Sequence, residues 1–330
     1  NAGSPVVAFL CEYDALPGLG HACGHNLIAE SALAAAVAAR ELVEKACLKS
    51  GKKVEGKIVV LGTPAEEGGM GKELLLRAGA LDDIDAALMA HPENRSFLRL
   101  GLSARCAIST VFETCDSPDG KQGHSALDAA VLAYANLSLL RTRLEPQCRM
   151  HGVLLCSDSS ASFEVSSSRL DFNLRGPNTE SVLQMHRDVE DSMKAAAAAT
   201  GCKVKFAELG PFCKHIILND PLLRMFQRHA ESYGIEFDDS GDYRTLATGS
   251  TSDVGNVSHR MPTIHPVYRI ESTAFNHTAE FCRASGTRQA QEIALVVGKA
   301  LGLTAFDLLC DPRHLDHARN EFEHCVKLTK

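Results

Sequence analysis

Hydrophobic residues form short continuous runs near the start of the chain, with amphipathic segments between them. Residues 5–11 (PVVAFLC) and 57–63 (KIVVLGT) are almost entirely apolar, which is typical of strands buried on both faces of a parallel sheet. Residues 84–91 (IDAALMAH) predict a third strand of this kind. An alanine-rich helix over 26–46, with Asn26 as its N-cap, separates the first two strands. The alternation predicts an α/β domain with a mostly parallel sheet flanked by helices.

The pattern changes after residue 98. Residues 159–175 and 202–209 alternate between apolar and polar side chains, as strands with one exposed face do. Predicted helices over 125–143 and 179–200 lie between strand-like segments. The resulting βαββαβ order is typical of a ferredoxin-like α+β domain with an antiparallel sheet.

Helical patterns near 285–304 and 311–328 restore the α/β character towards the end of the chain. A length of 330 residues also suggests about two domains. The simplest account is one discontinuous α/β domain, residues 1–98 plus 216–330, interrupted by an inserted smaller domain, residues 99–215.

Composition excludes some classes of function. A net charge of −7 and a pI near 6.1, without a basic stripe, argue against a nucleic-acid partner. The alanine-rich run contains Glu30, Arg40 and Glu41, so we expect no membrane span there. The 12 cysteines are scattered, which favours free thiols in a reducing compartment and predicts a cytoplasmic protein. Because the chain starts at Asn1 without Met, we expect that upstream sequence is missing.

Four polar clusters follow the predicted strands or lie in the C-terminal part. Ligands of open α/β sheets bind beyond the carboxyl ends of the strands, so we expect these clusters to converge. Thiolate, imidazole and carboxylate are the ligands that zinc prefers, and one of two adjacent glutamates can stay free as a general base. The clusters are EYDALP with HACGH (12–17 and 21–25), PAEEGGMG (64–71), AHPEN (90–94) and FNHTAEF (275–281).

Each cluster also has a plainer interpretation. The Cys-Gly-His stretch can be a tight turn, or a thiol nucleophile with its base, although such partners usually come from distant segments. Glu66 and Glu67 can form an acidic first turn of a helix, and His91 alone can be a structural residue. The conjunction of the clusters favours one or two metal sites over these alternatives.

The order of the motifs resembles that of the aminoacylase/carboxypeptidase family of co-catalytic zinc metallopeptidases, over essentially the whole chain. Within that family the motifs are most similar to the amidohydrolase branch of auxin-conjugate and hippurate hydrolases, and there to the β-alanyl-lysine dipeptidase type. The combination of Cys-Gly-His with Pro-Ala-Glu-Glu-Gly is highly specific. The matching stretches are CEYDALPGLGHACGHN (11–26), GTPAEEGGMGK (62–72), MAHPE (89–93), GKQGHSALDAAVLAYANL (120–137), GSTSDVGNVSH (249–259) and FNHTAEF (275–281).

The resemblance implies a centre of two divalent ions, with Zn²⁺ expected and Mn²⁺ or Co²⁺ as alternatives. Cys23 would bridge the ions, and Glu66 would be the general base that later protonates the leaving amine. Asp14 would orient a ligand imidazole. Glu12 stands where other branches carry a metal-binding histidine, and His21 is expected to be structural. The remaining protein ligands would be His25, Glu67, His91 and His277.

For residues 99–215 the resemblance implies a ferredoxin-like lid through which the chain forms a homodimer. His124 would reach the partner's active site and stabilise the oxyanion, and Arg175 would bind the substrate carboxylate. Without the resemblance, the first is an exposed loop histidine and the second a surface charge at a strand end.

Three departures from the family pattern concern loops that face the substrate. The segment after His124 is about eight residues shorter than is usual in the family. SFEVSSS (162–168) replaces an Asn-x-Ile-Pro stretch, and one extra serine precedes Asp253. We expect these changes to affect specificity rather than the metal ligands.

The expected protein is therefore a dinuclear metal amidohydrolase that cleaves a small dipeptide, above all of the β-alanyl-lysine or β-alanyl-ornithine type, or an N-acyl amino acid. An aminoacylase or amino-acid-conjugate hydrolase with another acyl specificity is the alternative within enzymes. A non-catalytic binding protein of the same fold is the alternative outside them.

Overall fold

The structure is a computed structural model that describes residues 4–115, 125–156, 165–238 and 249–329. The chain forms two compact units. Unit 1 comprises Asn1–Gly101, Ile216–Ala247 and Ser252–Lys330, and unit 2 comprises Leu102–His215 and Thr248–Thr251. The short segment Thr248–Thr251 joins unit 2 through backbone pairing, because the amide of Ser103 donates to the carbonyl of Ser250 at 2.9 Å.

Strands and helices alternate in both units. In the described residues the strands are β1 Val6–Glu12, β2 Lys57–Thr63, β3 Ala86–Leu88, β4 His91–Glu93, β5 Ala104–Glu113, β6 Arg149–Cys156, β7 Ser167–Gly176, β8 Lys203–Glu208, β9 Thr263–Ile264 and β10 Val267–Arg269. The α-helices are α1 His25–Ser50, α2 Gly71–Arg77, α3 Ala126–Leu140, α4 Thr179–Thr200, α5 Asp220–Ser232, α6 Val254–Ser258, α7 Ala279–Ser285, α8 Arg288–Cys310 and α9 Pro312–Leu328.

Unit 1 is built on a parallel sheet with the strand order β2-β1-β3-β9. In β1, Phe9 is fully buried and pairs with Val60 on one side and Leu88 on the other. Burial on both faces explains why β1 is an uninterrupted apolar run in the sequence. The predicted α/β architecture with a mostly parallel sheet is confirmed, and parallel pairing places the carboxyl ends of these strands at one edge.

The predicted third strand over 84–91 is wrong in its extent. β3 pairs with β1 and β9, whereas β4 pairs with β10 in a separate two-stranded sheet. The amide of His91 donates to the carbonyl of Pro266 at 3.0 Å, which ties β4 to the β10 segment. The chain therefore changes sheets just before His91, and a continuous apolar run gives no sign of such a change.

Helix α8 has the length and apolar composition of a membrane span, with a mean hydropathy of 1.9 in its most apolar window. In the structure 56% of that window is buried, and α8 packs closely against α1. A Cβ atom at Gly298 would lie 2.8 Å from the carbonyl of Ser31, and one at Gly302 would lie 2.8 Å from that of Ala35. The apolar composition of α8 is therefore accounted for by helix packing in the core of unit 1.

Unit 2 has the predicted element order, β5-α3-β6-β7-α4-β8, and an antiparallel sheet with the order β6-β7-β5-β8. Buried residues alternate along β7 and face α3 and α4, with Phe172 among them. The other face of the sheet carries Arg105, Asn173 and Arg175, and register places Arg105 opposite Arg175. Arg175, the residue expected to bind the substrate carboxylate, therefore lies on the face that the helices do not cover.

Candidate metal centre

The polar motifs of unit 1 follow the carboxyl ends of its parallel strands. Asp14 and Cys23 follow β1, and Glu66 follows β2. His91 begins β4 directly after β3, and His277 precedes α7. The predicted convergence is observed, because side chains separated by up to 254 positions along the chain lie within 4.8 Å of one another.

The Cys-Gly-His loop is shaped by Gly24. This glycine has a left-handed backbone with φ 75°, and a Cβ atom there would lie 2.5 Å from Pro92 Cγ. Helix α1 consequently starts at His25, with Gly24 as its N-cap. The predicted capping role of Asn26 is wrong, because its side chain lies inside the helix and donates to the carbonyl of Ser285 at 2.9 Å.

A second tight turn presents the two glutamates. Ala65 has a left-handed backbone with φ 61°, and a Cβ atom at Gly71 would lie 1.8 Å from the carbonyl oxygen of Pro64. Helix α2 begins only at Gly71, so Glu66 and Glu67 do not form its acidic first turn. The turn instead holds both carboxyl groups in the cluster, and backbone of this kind outside glycine is typical of functional sites.

Cys23 belongs to two separate groups of potential metal ligands. One group is Cys23, His25 and His91, and the other is Cys23, Glu67 and His277; the ligand atoms within each lie within 4.8 Å of one another. Cys23 Sγ lies 3.5 Å from His91 Nε2, and Glu67 Oε1 lies 3.3 Å from His277 Nε2. The structure thus brings together all five predicted ligands, with the thiol common to both groups.

Hydrogen bonds orient the two imidazoles of the first group. His91 Nδ1 donates to the carbonyl of Pro92 at 2.8 Å, which leaves the Nε2 lone pair facing Cys23. His25 Nδ1 donates to Asp14 Oδ1 at 3.2 Å, and Asp14 Oδ2 accepts from the amide of Glu67 at 3.0 Å. Asp14 therefore couples the first two motifs, as expected of a residue that orients a ligand imidazole.

Several buried polar atoms of the cluster have no hydrogen-bond partner among the described residues. They include Glu12 Oε2, His25 Nε2 and Glu67 Oε1. His25 Nε2 faces Glu12 Oε2 at 3.3 Å and Glu66 Oε2 at 4.0 Å. Such orphaned acceptors are costly in a folded protein unless a cation satisfies them. Together with a thiol–imidazole–carboxylate donor set, they fit divalent metal ions of the zinc type.

Burial and neighbouring charges alter the acidity of the cluster. Burial, followed by the charge of Glu12, raises the pKa of Glu66 to about 8. Burial lowers the pKa of His91 to about 3, so this ring is neutral as a metal ligand must be. Burial and the charges of Glu67 and Glu66 raise the pKa of the Cys23 thiol. Both a nucleophile and a metal ligand need the thiolate, so the ligand interpretation of Cys23 rests on its place among imidazole and carboxylate groups.

Other cluster residues were missed or only partly recognised from the sequence. Lys72 Nζ, fully buried, lies 2.5 Å from Glu12 Oε1 and 2.6 Å from Asp253 Oδ1. His265 is buried, its ring nitrogens have no hydrogen-bond partner in the described part of the chain, and its ring lies 5.5 Å from that of His91. The extra serine before Asp253 therefore adjoins the buried cluster and not only a substrate loop. Lys72 ends the GTPAEEGGMGK motif, which was the one available signal.

Three further residues singled out in the sequence lie outside the two Cys23 groups or outside the described residues. His124 lies outside the described residues. His21 belongs to neither three-residue group, and its backbone carbonyl accepts from Ser285 Oγ at 2.9 Å, in keeping with a structural role. Arg175 lies in unit 2, where its Nη1 donates to the carbonyl of Gly249 at 2.7 Å. Burial and the charge of the adjacent Arg105 lower the pKa of Arg175.

Comparison with known proteins agrees with this geometry. The sequence profile of the Peptidase family M20/M25/M40 matches residues 8–299. The chain is 39% identical over 320 residues to the Xaa-Arg dipeptidase of Mus musculus, spanning 96% of this chain and 73% of that protein. It is 31% identical over 228 residues to a component of the p-aminobenzoyl-glutamate hydrolase of Escherichia coli (strain K12), spanning 62% of this chain and 46% of that protein.

Among solved structures, the YXEP protein of Bacillus subtilis, described as a dinuclear metal-binding peptidase of the M20 family, has a similar fold. The TM-score is 0.70 at 16% identity, covering 93% of this chain and 82% of that one. The fold and the ligand cluster define a metallopeptidase, a hydrolase of peptide or amide bonds. The chain belongs to peptidase family M20/M25/M40, which confirms the resemblance drawn from its motifs.

Proposed function

We propose that the protein is a dinuclear metal-dependent dipeptidase that cleaves small dipeptides of the β-alanyl-lysine or β-alanyl-ornithine type. The observation that carries this proposal is the membership of Cys23 in two separate ligand groups. A thiolate shared by two groups is the arrangement expected of a bridging ligand. The Xaa-Arg dipeptidase name of the 39% identical relative supports a basic residue on the carboxyl side of the cleaved bond.

His25 and His91 would hold one ion with Cys23, and Glu67 and His277 would hold the other. When bound, the ions polarise the amide carbonyl and make a water molecule more acidic. Zinc suits this ligand set, and manganese or cobalt are the alternatives. Asp14 keeps the His25 imidazole in the tautomer whose Nε2 is free to bind metal.

Glu66 acts as the general base and then as the general acid. Its Oε2 lies 4.0 Å from His25 Nε2, within the cluster, while its neighbour Glu67 is hydrogen-bonded through its amide to Asp14. Glu66 takes a proton from the attacking water and later gives it to the leaving nitrogen. His124 of a partner subunit is proposed to stabilise the oxyanion.

Arg175 is proposed to bind the substrate carboxylate. Within the described residues neither Arg175 nor Arg105 beside it forms an ion pair, so two guanidinium groups stand together without a carboxylate counter-ion. Arg105 Nε donates to Asn173 Oδ1 at 3.2 Å, and Arg175 donates to the carbonyl of Gly249. These hydrogen bonds orient both guanidinium groups before a substrate binds. Such a pair suits bidentate recognition of a carboxylate.

A substrate panel tests the proposal. The protein loaded with Zn²⁺ or Mn²⁺ should cleave β-alanyl-lysine and β-alanyl-ornithine with a kcat/KM at least about 10-fold above that for p-aminobenzoyl-glutamate and N-acetyl amino acids, the discrimination that one good contact gives. Chelation should abolish cleavage, and β-alanyl-lysinamide should be a poorer substrate. A metal-loaded protein that cleaves none of these amides would contradict the proposal.

The second candidate is an amino-acid-conjugate hydrolase of the same metal chemistry. The 31% identity to a component of a p-aminobenzoyl-glutamate hydrolase is the observation that favours it. The same panel decides between the two, because a conjugate hydrolase prefers the aromatic acyl group to β-alanine. Either result leaves the assignment of the metal ligands unchanged.

We further propose that unit 2 forms a homodimer through the β6 edge. Val153 and Leu155 on β6 are 54% and 42% exposed, an unusual apolar edge. The other edge strand, β8, carries the lysines Lys203 and Lys205, which discourage pairing. Changing Val153 and Leu155 together to lysine should convert a dimer into a monomer, as measured by light scattering after gel filtration. Ala207→Lys on β8 is the control, and an equal loss of dimer there would contradict the proposal.

A further inference from the structure

Lys72 places a buried positive charge beside the metal centre. Its side chain is fully buried, as are those of Glu12 and Asp253, which its ammonium group contacts at 2.5 and 2.6 Å. Burial of three charged groups is tolerated only when they are paired in good geometry. The ammonium group is therefore a buried, paired part of the site and not an exposed surface charge.

The backbone fixes Lys72 in this place. Its amide donates to Asp253 Oδ2 at 2.8 Å, so the same carboxylate holds both the backbone and the side chain. Met70 before it has a left-handed backbone with φ 55°, and Gly71 is pressed against Pro64. If the ammonium group moved away, Glu12 and Asp253 would remain buried without a counter-charge.

The carboxylates around Lys72 could themselves bind a metal ion. Oxygen atoms of Glu12, Glu66 and Asp253 lie within 4.8 Å of one another, as the ligand atoms of the two Cys23 groups do. Three carboxylates are a suitable ligand set for a hard divalent ion such as Mn²⁺. An ion in this third group would occupy Glu66, the residue that must stay free to move a proton.

We propose that Lys72 is a positioning residue whose ammonium group fills the cation position formed by Glu12, Glu66 and Asp253. It thereby keeps divalent ions out of the group formed by Glu12, Glu66 and Asp253, so that no ion in this group occupies Glu66. The inference rests on the proposed function for the role of Glu66, but the cation position itself is independent of the substrate.

Lys72→Ala tests the inference because it removes the ammonium group and opens the space. After dialysis against Mn²⁺, the wild-type protein should hold two ions per chain and the variant three, as measured by elemental analysis. Excess Mn²⁺ should raise the thermal midpoint of the variant by several degrees more than that of the wild type, since an added ligand stabilises only the folded state. The same excess should lower the activity of the variant below its activity with two ions, because the third ion binds Glu66.

The double variant with Lys72→Met and Asp253→Asn is the matched control. It removes one charge of each sign and one ligand of the third group, so it should fold, hold two ions and show no extra stabilisation by Mn²⁺. A Lys72→Ala chain that holds two ions, or that stays unfolded in Mn²⁺, would overturn the inference. A wild-type chain without metal would instead contradict the proposed function, so the two failures can be told apart.

Discussion

Replacing Cys23 by serine is expected to release metal from both groups at once and to abolish hydrolysis. Cys23 is the member common to Cys23–His25–His91 and Cys23–Glu67–His277, the two groups proposed to hold the ions, so its loss affects both at once. A serine hydroxyl stays protonated at neutral pH and is a poor substitute for a thiolate. Residues that only orient ligands already contribute about 10–100-fold to metal affinity, so the loss here should exceed that range.

Metal content per chain and kcat/KM of the Cys23→Ser variant are the measurements. Cys310→Ser, at an exposed cysteine of unit 1, is the matched control and should keep both metal and activity. Activity that survives chelation but disappears in Cys23→Ser would identify a thiol nucleophile and refute the ligand role. Retention of two tightly bound ions by the variant would refute the bridging role alone.

Glu66→Gln is expected to lower kcat by about 10³-fold, within the range that general acid–base catalysis contributes. Glutamine has the same shape but no basic oxygen, so water attack and protonation of the leaving nitrogen both lose their proton carrier. The variant should keep its two ions, because Glu66 belongs to neither Cys23 group. KM should change little, since the proposed function assigns the substrate carboxylate and carbonyl to other groups.

Stopped assays on β-alanyl-lysine with elemental analysis of the same preparation separate these effects. Glu41→Gln provides the control, because this glutamate is exposed on α1 and pairs with Lys45 at 3.1 Å, away from the ligand cluster. If the Glu66 variant keeps kcat within a few-fold of the wild type, another residue moves the proton. If it loses metal, Glu66 is a ligand and the division of labour with Glu67 is wrong.

The buried runs of the sequence predicted the fold class correctly because burial on both faces leaves a direct trace in composition. β1 follows this rule, and the alternating segments of unit 2 follow the rule for a sheet with one open face. β2 is an edge strand and only partly buried, so its predicted burial on both faces is wrong although the strand itself is observed. The sheet change between β3 and β4 left no such trace, since Met89 and Ala90, which join them, are as apolar as β3 itself. The start of α1 was also misplaced, because Gly24 rather than Asn26 is its N-cap, and the proximity of Gly24 to Pro92, which leaves no room for a Cβ atom, is a contact between distant segments.

The candidate site could be predicted in part for a similar reason. Cys, His and paired Glu residues directly after strands can be recognised as possible metal ligands from residue type alone. Parallel pairing then brings the strand ends together. Lys72 and Asp253 are 181 positions apart, and nothing in either local pattern shows that they meet. The same is true of His265, which becomes notable only because its ring nitrogens are buried without partners.

The amino-acid sequence by itself determined the α/β class, the residues able to hold metal and the presence of two adjacent glutamates among them, because each depends on local pattern and residue type. Tertiary structure alone decided that Cys23 is shared by two groups, that Asp14 couples His25 to Glu67 and that Lys72 supplies a buried cation. These features arise from contacts between segments distant in sequence. Their energies depend on distance and burial, which only the folded chain defines.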